Sequence, residues 1–240
     1  MLFSKKLLSI AGAGLLLAGS HLMAAEPTAK EILLNSYRYV GSLKSYAFDA
    51  VVSNQQKGPD GTEKRYRQYV SVKVHRPDKL RIDTKGDIKD RSSYIDNGTF
   101  TMIDHRFNYY GQIKVPRDLN KALDYIFSSY GINPPMAALI YSDMDKRMKL
   151  VKSRYFGIRT VRGEACHYIA FKNRKVEVHA WITTGDKPLV KTYTIINRSG
   201  AEARRTDTSV TWDINAEISP DTFVFKAPAD AHKISIEKAK

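Results

Sequence analysis

The sequence predicts an α+β fold in which a single, highly curved antiparallel sheet wraps around a few short helices acting as a lid. Three observations carry that expectation. Most of the chain after residue 45 alternates apolar and polar side chains with a period of two, and hairpin-length connections join the segments. Helical spacing occurs in only three short stretches. Where the alternation is clearest, one face of each strand is apolar and the other polar, so the dry face needs cover that only those helices supply.

The chain begins with Lys5 and Lys6, an uncharged run of about 13 residues from Leu7 to Gly19, and small residues at Ala24 and Ala25. This is the layout of a secretory signal peptide, expected over residues 1–25 and removed after Ala25, which leaves residues 26–240 as one domain. The run is short of the roughly 20 residues that span a bilayer, so no transmembrane segment is expected after cleavage. Leu17, Ala18 and Gly19 approach a lipobox, but Ser20 stands where lipid attachment needs cysteine. A periplasmic location follows from this reading.

Just over 200 residues then bury a core without staples, and with a single cysteine, Cys166, no intramolecular disulfide exists. The formal charge of +14 falls to +12 once Lys5 and Lys6 are lost. In an exported protein such a surplus suits anionic lipid headgroups, acidic glycans or an acidic protein surface better than nucleic acid.

Thr28 and Glu31 form a capping box after Pro27 and open a first helix, with Ile32, Leu33, Tyr39 and Val40 apolar and Gly41 at its end. Tyr46, Phe48, Ala50 and Val52 then alternate up to a turn at Gly58, Pro59, Asp60 and Gly61. On the returning strand Val70, Val72 and Val74 share the dry face, opposite Arg67, Tyr69 and Lys73. Shorter strands are expected at Leu80 to Ile82, Ser93 to Ile95 and Phe100 to Ile103. Asp118 caps a helix with Leu119, Ala122, Leu123, Ile126, Phe127 and Tyr130 on one face, and Gly131 ends it in the left-handed conformation. Asn133 is expected to cap a second helix with Pro134 and Pro135 in its first turn, leading into Met136, Ala137, Leu139 and Ile140. These faces either seal the sheet as plain core or form a lid over a cavity. Strands resume at 150–155, 166–171, 176–182, 190–196 and 209–214, about ten in all, and Glu237 to Lys240 reads as a frayed tail.

Arg76, Pro77, Asp78, Lys79, Leu80 and Arg81 resemble a strand signature of the periplasmic lipoprotein-carrier (LolA/LolB-like) superfamily. Tyr94, Asp96, Asn97, Gly98, Thr99 and Asp104 resemble its hairpin, with Asn97 in place of Asp, and Phe223, Phe225, Pro228 and Ala229 its closing strand. Trp181, Gly185, Asp186, Pro188, Leu189 and Lys191 are similar to a family of predicted periplasmic proteins classified as a domain of unknown function. Val190 stands where that family often has proline. The resemblance implies a LolA-like open half-barrel whose concave apolar face, closed by helices, holds acyl chains.

Catalysis is not expected. His75, His105, His167, His179 and His232 lack metal-ligand spacing, so neither a metal nor a cofactor is expected. Cys166 and His167 point to opposite faces of one strand and cannot meet. Asp83, Asp87 and Asp90 beside Lys85 and Arg91 read as a solvated hairpin. Arg65, Arg67, Tyr69 and Lys73 interleave cations and aromatics on a wet face, a weak nucleic-acid signal. The functional expectation is therefore a non-catalytic binder or carrier of a lipid or acylated ligand. Val70, Val72, Val74, Ile82 and Met102 would form its sheet wall, and Leu123, Ile126, Phe127 and Met136 its lid wall. The alternative is an envelope scaffold or sensor that docks an acidic protein through its basic surface.

Overall fold

The computed structural model describes residues 26–57, 61–149, 152–200 and 202–239. The expected signal peptide at 1–25, the turn residues 58–60 and the first two residues of the expected strand at 150–155 lie outside the described residues.

Helix α1 (Ala29–Ser42) starts on the expected capping box: Thr28 Oγ1 accepts from the Glu31 amide at 3.2 Å, and Glu31 Oε2 accepts from the Thr28 amide at 2.8 Å. It runs through Gly41 and ends on Leu43, whose backbone is extended. Gly41 therefore serves not as a terminator but as a contact point, because a Cβ there would overlap the carbonyl of Ser142.

A meander follows: β1 (Ser45–Lys57), β2 (Glu63–His75), β3 (Lys79–Gly86), β4 (Asp90–Asp96), β5 (Thr99–Asp104) and β6 (Tyr109–Lys114). The chain crosses beneath the sheet as α2 (Leu119–Tyr130), a 3₁₀ turn at Ala137–Leu139 and α3 (Met144–Arg147). A second meander returns as β7 (Lys152–Val161), β8 (Glu164–Lys172), β9 (Val176–Thr183), β10 (Val190–Asn197) and β11 (Arg204–Asp213), and β11 pairs with β1. With β12 (His232–Lys233), the strand order is β12-β6-β5-β4-β3-β2-β1-β11-β10-β9-β8-β7, open at both edges and antiparallel except for β12 on β6.

Burial shows the curvature. Ile95 on β4 and Ala180 on β9 are six strand spacings apart, about 29 Å across a flat sheet. Both belong to one core cluster with α1 and α2, so the sheet bends around the helices. Val70, Val72 and Val74 lie sealed on its inner face while Tyr69 is exposed on the outer one. The expected α+β fold, a curved antiparallel sheet around short helices, is the fold of the chain.

Two local expectations about the elements are corrected. The second helix is not α-helical: Met136 adopts φ 58°, ψ 29°, and only Ala137–Leu139 turns, as 3₁₀. Proline disfavours helical backbone in the residue before it, and Asn133 and Pro134 both precede one. Among the described residues twelve strands occur rather than about ten. One missed strand, β6, has its pattern broken by Gly111, where a Cβ would collide with the Ile236 side chain.

The chain end also differs from expectation. Phe223 and Phe225 form no closing strand; Pro220–Phe223 is a 3₁₀ turn strapped across the convex face. There Phe223 is fully buried near His75, and Phe225 packs on Tyr94 and Tyr110 with ring centroids 5.5 and 5.1 Å away. After β12 the chain rounds the sheet edge, Ile236 joins the inner core, and the Ala239 amide donates to Ser129 O at 3.0 Å. Through residue 239 the tail is docked on α2 rather than frayed.

Candidate functional site

The concave face is not filled. A cavity of about 240 Å³ lies between β2–β5 and α2. Ile82, Ile95, Phe100 and Met102 form its floor and Leu123 and Ile126 its roof, while Gln68, Lys89 and Arg91 make one end polar. α2 covers this cavity because its ends are fixed: Asp118 Oδ1 accepts from the Lys121 amide at 2.9 Å, and Gly131 is left-handed at φ 64°. The Arg91 guanidinium donates to Asp104 at 2.7 Å. Burial opposes ionisation of Asp104, but Arg91 and the Arg106 amide outweigh it and hold the carboxyl below its usual range. Arg91 is thus already paired. Lys89 is exposed, with no ion-pair partner among the described residues.

A second cavity of about 400 Å³ lies under α1. Leu33 and Tyr37 come from the helix, Met136 to Leu139 from the 3₁₀ turn, and Phe171, Val178, Ala180, Val190, Tyr193 and Ile195 from β8–β10. Among the described residues it is lined by no cation or carboxylate. Asn133 and Pro134 line both cavities, so the non-helical segment Ile132 to Met136 stands between them.

The residues singled out in sequence separate accordingly. Ile82, Met102, Leu123 and Ile126 line the smaller cavity and Met136 the larger one. Val70, Val72 and Val74 are sealed in the core beside them and line neither. Phe127 is 57% exposed and is corrected: at about 100° per residue it falls about 80° from Leu119, beyond the buried stripe of Leu119, Ala122, Leu123 and Ile126. Sequence reasoning missed the larger cavity. Its signals were present in the Leu33 and Tyr37 pair one helical turn apart and in the alternation of Val178 and Ala180.

On the convex side Asp83, Ser92 and His105 come together. Ser92 Oγ donates to Asp83 Oδ1 at 2.6 Å and lies 2.8 Å from His105 Nε2. The hydroxyl's one proton points at the carboxylate, so the imidazole must donate to the serine and cannot act as its base. The serine is buried as well. Cys166 is fully buried outside the main core, where burial pushes its thiol pKa up. His167 is bonded instead to Tyr155 at 3.0 Å. Among the described residues, no group of three or more His, Cys, Asp or Glu could hold a metal ion, and no helix is long and apolar enough to cross a membrane.

Comparison with solved structures finds the same architecture in an uncharacterized conserved protein from Thermus thermophilus, at TM-score 0.51 and 10% identity, covering 86% of this chain and 98% of that one. A LolA superfamily protein from Nitrosomonas europaea aligns at TM-score 0.37 and 9% identity over 83% of this chain and 98% of that one. Lipoprotein LppX from Mycobacterium tuberculosis aligns at TM-score 0.42 and 8% identity, over 80% and 98% respectively. No curated protein matches the sequence. The profile of a family described as predicted periplasmic protein (DUF2092) matches residues 29–237, most of the chain, and the protein belongs to that family.

Proposed function

We propose that the protein is a non-catalytic binder or carrier of a lipid-like ligand, exported to the periplasm after loss of residues 1–25. The observation that carries this reading is the pair of apolar hollows beneath the helices. Protein interiors are normally close-packed, and empty apolar space costs stability in proportion to its volume. An acyl chain occupying it would offset that cost. About ten buried methylenes supply roughly 8 kcal/mol, micromolar in scale before association costs. The polar end at Gln68 and Lys89 suits the head of such a ligand, and membership in a family described as periplasmic suits the location.

The test is direct: protein recovered from the periplasmic fraction is extracted with denaturing organic solvent and the extract analysed by mass spectrometry. Acyl lipids near one per protein are the expected result, with an intact mass starting near Glu26. An empty extract, together with failure of the protein to take up a fluorescent fatty-acyl probe, would end the carrier reading and leave a scaffold for an acidic partner.

A further inference from the structure

The side chains lining the larger cavity are apolar except for two phenols, Tyr37 on α1 and Tyr193 on β10, and the Asn133 carboxamide at the partition. Tyr37 is only 9% exposed, yet its hydroxyl has no hydrogen-bond partner among the described residues. By contrast, Tyr46 donates to Leu139 O at 2.8 Å and Tyr141 to Asp124 at 2.9 Å. Among the described residues the sealed side-chain polar atoms without a partner are Ser36 Oγ and Thr208 Oγ1, whereas the Tyr37 hydroxyl stays open to the cavity, where a group from outside the chain can complete it. Burial, with the nearby Tyr193, pushes the Tyr37 pKa up to about 12, so it is a neutral donor throughout the physiological range.

The missing partner is an acceptor, and the surroundings restrict its kind. Among the described residues no lysine, arginine or histidine lines this cavity, so a carboxylate would enter without a countercharge and pay its full desolvation. A neutral carbonyl joined to an alkyl chain meets both conditions. Resting on the carrier reading above, we propose that Tyr37 donates a hydrogen bond to the ester or amide carbonyl of an acyl chain in the larger cavity. The ligand class is thus an acylated molecule rather than a free fatty acid, with Tyr37 fixing how deep the chain sits.

The experiment compares three probes on the full exported chain: palmitoyl lysophosphatidylglycerol, its hexadecyl ether analogue, which lacks the carbonyl, and an N-palmitoyl amide. The parent should bind the ester and the amide about five- to tenfold more tightly than the ether, the worth of one ordinary hydrogen bond. Tyr37→Phe should bring all three to the ether's affinity while leaving the ether's unchanged, and should melt no lower than the parent because no protein bond is lost. Equal affinity of the parent for ester and ether would overturn the inference and leave the carrier reading standing. So would an equal loss for all three probes in Tyr37→Phe, which marks a packing role. If no probe binds the parent, the carrier reading itself fails. Asn133→Ala, which removes the amide donor that also lines this cavity, should keep the parent's ester-to-ether ratio, and loss of the ratio there would overturn the assignment to Tyr37.

Discussion

Arg76 Nη2 donates to the Tyr46 hydroxyl at 3.2 Å, and that hydroxyl donates onward to the Leu139 carbonyl at 2.8 Å. The same guanidinium donates to Ile140 O at 2.7 Å and to Leu43 O at 3.1 Å. One arginine and one tyrosine thus fasten the 3₁₀ turn roofing the larger cavity to the root of β1. Burial drives the Tyr46 pKa far above its usual value, with Arg76 opposing, so the hydroxyl remains a neutral donor. Tyr46→Phe would strip the Leu139 carbonyl of this donor in a buried place and is expected to cost about 1–3 kcal/mol. For a chain of this size the melting temperature should fall roughly 2–4 °C per kcal/mol. Urea unfolding checks the same figure, and a loss under about 0.5 kcal/mol would mean the turn is not held this way.

Adjacent residues on α2 should respond in opposite ways to a charge. Phe127→Asp places the carboxylate in solvent and is expected to change stability by no more than about 0.5 kcal/mol, with lipid retention intact. Ile126 is fully buried against the smaller cavity, so Ile126→Asp should cost several kcal/mol or abolish folding. Circular dichroism melts of the two variants side by side distinguish these outcomes.

Stability should fall in two steps as pH is lowered. Burial lowers the His167 pKa, so the unfolded chain takes up that proton first, and stability present above about pH 6.5 drops as pH falls toward the folded value. Asp104 and Asp207 keep depressed pKa values in spite of burial, Asp104 through Arg91 and Arg106, Asp207 through Arg205 and Thr194. Their contribution is complete above about pH 4 and is lost as pH falls further through the folded values. Urea midpoints across this range should show both declines, and His167→Gln should remove the upper one alone. A midpoint that rises as pH falls below about 6.5 would contradict the assignment.

What could be read from the sequence was local. Thr28 with Glu31, Asp118, and Gly131 fix helix ends through groups three or four residues apart, and all three do so in the fold. Alternation at Val70, Val72 and Val74 marked the inner face because strand side chains simply take turns. Features depending on distant chain were hidden. Gly111 looks like a strand breaker until Ile236, more than a hundred residues later, fills the space beside it. Phe223 and Phe225 read as strand residues, yet the place they bury is the outer face around Tyr94 and Tyr110. The larger cavity was least legible of all, since Leu33, Phe171 and Val190 announce an apolar surface but not whether another side chain covers it.

The last expectation concerns the partition between the cavities. Among the described residues, the amides of Ile132, Asn133 and Met136 make no backbone hydrogen bond, and Pro134 and Pro135 have no amide to offer. Regular helix flanks this segment on one side, and on the other the 3₁₀ turn is tied by Arg76 and Tyr46. Opening of the lid should therefore be confined to residues 132–136 rather than spread over 118–141. Hydrogen exchange should be fast at Ile132, Asn133 and Met136 and slow in the buried turns of α2, because exchange requires breaking bonds that only α2 has. Binding of an acyl ligand that spans both cavities would pack the strap from two sides and slow its exchange, with little change in the strands. Fast exchange throughout α2 would mean that the whole helix moves as the lid. If ligand left the strap's exchange unchanged, the two hollows would be separate compartments, each open to its own side.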